Sequence, residues 1–375
     1  MSAFLGNTFR LGIKELRSLL ADPVLLLLIV YTFTFAVYSV ATGVKFEVQN
    51  ASIAVVDEDQ SEVARRIRGA LLPPFFKEPE TIQFNEIDKA MDSGRFVFVI
   101  AIPPNFEKDL LAGRSPEIQL DVDATAMTQA GNGAVYLQNI VSQEVVNFAQ
   151  RREDGSSLPI NLLVRDKFNP NLESTWFTAV MQVINNITIL SVILTGAALI
   201  REREHGTVEH LLVMPVTPQE IMLAKIWANG LVIVVAAVLS LLFVVQAFLQ
   251  VPIAGSVALF VLGAVFYLFS VTALGIVLAT FASSMPQFGL LVMPVLVIMN
   301  LLSGSTTPME SMPIWLQWVM QLSPSTHFVA FSQAVLYRGA GPEIVWPSLV
   351  SMATISAAFF VLAHLRFRKA IASYQ

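Results

Sequence analysis

The densest set of chemically able groups in the chain is a run of alternating charges. It reads Arg201-Glu202-Arg203-Glu204-His205-Gly206-Thr207-Val208-Glu209-His210. Imidazole and carboxylate both suit divalent metals, so Glu204, His205, Glu209 and His210 form one conceivable ligand set. Their spacing matches no standard site. Two other readings stay open. The run is either a solvated loop beside a membrane, or a helix that Gly206-Thr207 interrupts and that restarts over Glu209 to Val213. The second gives a short helix at the membrane face for a motor subunit to push.

Other chemistries are excluded by what is missing. The chain has no Gly-Lys dipeptide and so no Walker A phosphate loop. It has no GxSxG elbow and no HExxH pair. With no cysteine it has no disulfide, thiolate metal site or cysteine nucleophile. Any ATP hydrolysis therefore belongs to another polypeptide, and no metal or cofactor is expected in this chain. Gln182, Asn185, Asn186, Asn300 and Ser303 lie within apolar runs, where they either bond helix to helix or line a substrate path. Gln182 and an asparagine at 185 or 186 fall on one helix face. Glu310 and His327 either gate an outer exit or sit at headgroup level. No Asp, Glu, Lys or Arg occupies the core of an apolar run, which argues against ion-coupled transport.

These groups must be positioned mostly by lipid-facing helices. Of 375 residues 55% are hydrophobic and 14% charged, against about 25% charged in a soluble domain. Mean hydropathy is +0.64. Runs near the roughly 20 apolar residues needed to cross a bilayer occur at 23–44, 176–200, 226–250, 256–282, 287–303 and 346–365. Pro252 with Gly255, and Ser283-Ser284-Met285-Pro286, divide the long uncharged stretch. Lys and Arg cluster before the first run, between the second and third, and after the sixth. By the positive-inside tendency this puts both termini and 201–225 in the cytoplasm. Residues 45–175 then lie outside it.

The expected fold is thus an α-helical polytopic membrane protein, six transmembrane helices with an inserted extracytoplasmic α/β domain. Residues 1–22 form an amphipathic interfacial helix, on which Leu5, Phe9, Ile13, Leu16 and Leu20 share a face. Within 46–175 there are 20 acidic and 12 basic residues, which disfavours nucleic acid as a partner. Strands are expected at 52–56, 95–102 and 117–122, with helices at 62–72, 105–113 and 127–152 between and after them. Residues 304–345, broken by Pro308, Pro313, Pro324 and Gly339, read as short re-entrant or interfacial helices. The tail is 366–375.

The stretch IREREHGTVEHLLVMPVTPQEIMLAKIW at 200–227 resembles the signature of ABC-2 type exporter permeases of the multidrug group. So do LGIKELRSLL at 11–20, IPPNFEKDLLAGRSP at 102–116, NNIT at 185–188 and PSTHF at 324–328. The resemblance covers essentially the whole chain. It implies a six-span type V half-transporter that dimerises, as homo- or heterodimer, with separate ATPase subunits binding ATP and Mg. It also implies an elbow helix within 4–20, a coupling helix within 201–214 and short re-entrant helices within 308–338. The large segment after the first span suggests contact with a periplasmic membrane-fusion adaptor. A different class also fits the layout: a receptor or envelope scaffold that binds through its outer domain without transport.

Overall fold

The computed structural model describes residues 2–43, 50–123, 127–152, 173–204 and 216–372. They form two compact units, 1–43 with 175–375, and 44–174 between them in sequence. The chain opens with α1, Ser2–Leu20. Its outward face carries Leu5, Phe9 and Leu20, while Gly12 and Leu19 are buried. Asp22 then accepts hydrogen bonds from the amides of Val24 (3.1 Å) and Leu25 (3.2 Å). With Pro23 at the first helical position, this is a strong helix start, and α2 runs Pro23–Phe33. The helix stops at Thr34 and resumes as α3, Phe35–Gly43. Ile29, Phe33, Val37 and Ala41 keep one buried stripe across the break.

The second unit is a four-stranded sheet with helices. Its elements are β1 (Ile53–Asp57), α4 (Glu62–Ala70), β2 (Glu80–Thr81), α5 (Ile87–Asp92) and β3 (Phe98–Ile102). There follow α6 (Phe106–Leu111), β4 (Gln119–Val122) and α7 (Met127–Arg152). The strand order is β2-β1-β3-β4, with β1 parallel to both neighbours and β4 antiparallel to β3. Both faces are covered, which is why β1 and β3 read as continuous apolar runs. Ile53, Val55, Phe98 and Ile100 pack against Val63, Ile67, Leu137 and Phe148. Ala54, Val56, Val99 and Ala101 pack the other way, with Ile82, Ile87 and Phe96. β2 and α5 leave no mark in the sequence. The first is two residues long, and the second is a six-residue helix with too few turns to show periodicity.

The helical unit resumes with α8, Ser174–Glu204. Next comes α9, Pro218–Leu239, which continues as a nine-residue π-helical segment, Ser240–Phe248. Then follow α10 (Val257–Phe281), α11 (Met285–Leu301), α12 (Ile314–Met320), α13 (Pro324–Leu336) and α14 (Pro342–Ala372). A capping box starts α9: Thr217 accepts from the Glu220 amide, and the Glu220 carboxylate accepts from the Thr217 amide. This helix therefore begins well before the apolar run at 226. Among the described residues, five helical stretches are long and apolar enough to cross a membrane: Pro23–Gly43, Ser174–Glu204, Pro218–Phe248, Val257–Phe281 and Pro342–Phe367. The run expected at 287–303 is a 17-residue helix, at the lower limit for spanning. Gly304, at φ +91°, helps turn the chain away after it.

Replacing Phe98 by alanine would empty the centre of the sheet unit, where the ring meets Phe76 edge-on at 6.1 Å. A loss of about 3–5 kcal/mol is expected for a buried phenylalanine. Hydrogen exchange on the full chain should show it as lost protection in β1 and β3, with α8 to α14 unchanged.

Candidate functional site

At the end of α8 four consecutive residues go to four different places. Successive side chains on an α-helix fan round the axis by about 100°, so a run of charges at a helix end reaches several neighbours at once. Arg201 Nη1 lies 3.2 Å from Asp22 Oδ2, the residue that caps α2. Glu202 Oε1 lies 3.0 Å from Lys225 Nζ on α9 and 3.8 Å from Lys14 Nζ on α1. Arg203 donates to the carbonyls of Ala279 (3.3 Å) and Ala282 (2.8 Å), where α10 ends. Glu204 accepts from the Met285 amide at 3.0 Å, where α11 begins. The cation thus sits on the carbonyl end of one helix and the carboxylate on the amide end of the next, as helix dipoles favour. The alternating signs of the sequence are explained by this geometry.

Lys225 is the hub of this collar. It is 2% exposed and holds both Glu202 and, at 3.1 Å, Glu15 of α1. A lysine so buried needs paired carboxylates. Three more contacts clamp α1 to α9. Asn7 donates to Glu220 at 3.1 Å, the Trp227 indole donates to the Thr8 carbonyl at 3.2 Å, and Phe9 stacks on Trp227 with centroids 5.7 Å apart. A Cβ at Gly12 would come within 2.0 Å of the Trp227 ring, so only glycine allows this approach. His205, Gly206, Thr207, Glu209 and His210 lie outside the described residues.

The polar residues within the helices fall into separate groups. Gln182 donates to Asn186 Oδ1 at 2.9 Å, and Asn186 donates to the Thr32 carbonyl at 2.7 Å. Asn185 is buried on the same helix. Thr188 meets the Tyr267 hydroxyl at 2.6 Å, and that ring stacks on Phe328 at 4.2 Å. The Asn300 carbonyl accepts from Ser305 at 2.8 Å and from Ser303 at 3.4 Å, closing the end of α11. Glu310 is exposed in a short 3-10 turn, and His327 bonds the Gln321 carbonyl at 2.8 Å.

Over residues 19–365 the chain matches the family described as ABC-2 family transporter protein. It belongs to the ABC-2 transporter family. It is similar to the inner membrane transport permease YhhJ of Escherichia coli K12, with 54% identity over 98% of each chain. The probable multidrug ABC transporter permease YbhR of the same organism is 31% identical, over 96% of this chain and 97% of its own. YbhS, also a probable multidrug ABC transporter permease there, is 22% identical over 96% of each.

In this ABC-2 chain Arg201 to Glu204 stand out in the sequence, whereas Glu15, Asp22, Glu220 and Lys225 come to the site only through the fold. One available signal was Thr217-Pro218-Gln219-Glu220, a capping box that moves the helix start upstream and draws Lys225 inside it. Replacing Lys225 by methionine removes the cation shared by Glu15 and Glu202, leaving Glu202 its longer pair with Lys14, and breaking a buried pair of this kind typically costs about 3–5 kcal/mol. The variant should melt earlier in detergent, and adding Glu15→Gln with Glu202→Gln should restore part of the loss.

The Asp22 carboxyl is held below its ordinary pKa, chiefly by the Leu25 amide against some loss of hydration, with Arg201 and the Val24 amide adding to the effect. A lowered folded-state value stabilises the fold above the unfolded pKa of about 3.9, and that contribution is lost as pH falls through the lower folded value. The melting-point gap between wild type and Asp22→Asn should accordingly be full at neutral pH and close in acid.

Proposed function

We propose that the chain is the non-enzymatic, membrane-spanning permease subunit of an ATP-driven exporter in a bacterial inner membrane. It works as a dimer, each copy bound to a separate ATPase subunit that holds ATP and Mg. Both termini and residues 201–225 face the cytoplasm, residues 45–175 face the periplasm, and α11 completes a set of six spans. The cargo class is drugs or other amphipathic compounds, the class that the names of the multidrug relatives suggest.

The observation that carries this reading is the charged collar. Glu202 and Lys225 stand on either side of residues 205–215 in sequence, are bonded to each other, and are both tied to α1. A push delivered to that segment reaches α1, α8 and α9 together, and through Arg203 and Glu204 the ends of α10 and α11. That is the mechanical requirement of a coupling region from Arg201 to His210. Gln182, Asn185, Asn186, Asn300 and Ser303 serve helix packing or the path beside it, and Glu310 and His327 the outer exit. A periplasmic adaptor is the natural partner of residues 45–175.

Affinity purification of the tagged chain from its native membrane should retrieve an ATPase subunit. In vesicles containing the complex, Glu204→Ala with Glu209→Ala should lower ATP-driven efflux at least about tenfold, equivalent to roughly 1.4 kcal/mol of coupling. A chain that purifies alone, with efflux untouched in the double variant, would sink the reading.

A further inference from the structure

After Pro23 at its start, the first apolar stretch, Pro23–Gly43, has no further proline and no glycine until its last residue, yet its helix is broken at Thr34. Thr34 has φ −118° and ψ −80°, far from the ideal helical pair. Amide bonds bracket the break, Thr34 to Val30 and Tyr38 to Thr34, both at 3.0 Å. The Thr34 hydroxyl also bonds back to the Val30 carbonyl at 2.5 Å, a contact that bends helices. A break in an apolar helix frees carbonyls that lipid cannot satisfy.

Here two of them are met from two other helices. The Thr32 carbonyl accepts from Asn186 of α8 at 2.7 Å, and the Phe33 carbonyl accepts from Ser240 of α9 at 2.5 Å. Asn186 and Ser240 are each 2% exposed. Gln182 fixes the Asn186 amide from the next turn.

Ser240 is also the first residue of the π-helical segment. Its amide is shared between the carbonyls of Ala236 and Ala237. This irregularity therefore begins at the residue whose hydroxyl latches the break at Thr34. At its far end the π segment places Phe248 edge-on against Tyr38 of α3, with centroids 5.4 Å apart. π segments are rare in helices and are frequently found at functional sites.

We propose that residues 32–34 are a hinge in the first apolar stretch, latched by Asn186 and Ser240, about which α3 swings against the π segment. In the latched state the Thr32 and Phe33 carbonyls are satisfied. On release, the α2–α3 ladder closes over Thr32 and Phe33, and Ser240 turns its hydroxyl back to its own helix. Asn186 and Ser240 are positioning residues in this scheme. The hinge does not depend on the exporter reading, because it uses only contacts within this chain.

The absence of native cysteines allows clean labelling. Spin labels on cysteines introduced at Thr42 and Leu262 report the tip of α3 against α10, by pulsed electron resonance on the full chain in lipid nanodiscs. A nine-residue arm is about 13 Å long, so a 20° swing moves its tip by about 5 Å. Ser240→Ala and Asn186→Leu should each displace the distance distribution by several ångströms or add a second population. Thr195→Val, which removes a buried hydroxyl bonded instead to Asn229, should leave it unchanged. If Asn186→Leu fails to fold, Ser240→Ala decides alone, since it deletes a single oxygen. Distributions superimposable on wild type in the folded latch variants, or an equal shift in Thr195→Val, would overturn the hinge.

Discussion

The helical unit depends on how one helix ends. The last four charges of α8 tie α1, α2, α9, α10 and α11 to a common point, each through a contact suited to its partner. An arginine meets a capping aspartate, a glutamate meets a buried lysine, an arginine closes a carbonyl end and a glutamate closes an amide end. Inside a bilayer, helices gain little from the hydrophobic effect when they touch one another, because lipid is equally apolar. Directional polar contacts at helix ends therefore carry much of the specificity. A tetrad of this kind fixes which helix ends are neighbours in a way that Leu and Val cannot.

Small residues do the complementary work along the shafts. Gly12 admits the Trp227 ring. Gly275 brings α10 so near α8 that a Cβ there would lie 2.8 Å from the Val192 carbonyl. Ser270 and Ser356 meet at 2.6 Å between α10 and α14, each hydroxyl also reaching a backbone carbonyl of the facing helix. Close backbone approach and shared hydroxyls are the means by which apolar helices pack when burial gives no preference.

Helices were legible in the sequence wherever length and charge decide the matter. Uncharged runs announce themselves, and β1 and β3 read as strands because both of their faces are covered. The charged tetrad was visible as a boundary, but its partners were not. Asp22 is 179 positions away and Ala279 is 76, and nothing local connects them to Arg201 and Arg203. The break at Thr34 was hidden for a different reason. No proline or glycine marks it, and a threonine inside an apolar run is an ordinary helix residue. Its cause lies in Asn186, which read only as a generic polar contact, and in Ser240, a lone serine in an apolar run that nothing in the sequence sets apart. The π segment was equally invisible, since an apolar run has the same composition whichever hydrogen-bond register it adopts.

The two polar systems differ in chemistry in a way that follows from their places. Among the described residues, the charges of the collar lie on α1, at the end of α8 and in the first turns of α9. The middle of the helices carries amides and hydroxyls. An ion at mid-bilayer is expensive by several kcal/mol, whereas a neutral interhelical hydrogen bond is worth about 0.6 to 2 kcal/mol. The collar, built on a buried ion pair whose rupture costs about 3–5 kcal/mol, holds its helices as one body. Contacts such as those at Thr32 and Phe33 are weak enough to be exchanged for others of the same kind. On the proposed reading, a force applied at the collar passes through the helix ends and is absorbed at the first place where bonds can be traded at little cost, the break in the first apolar helix.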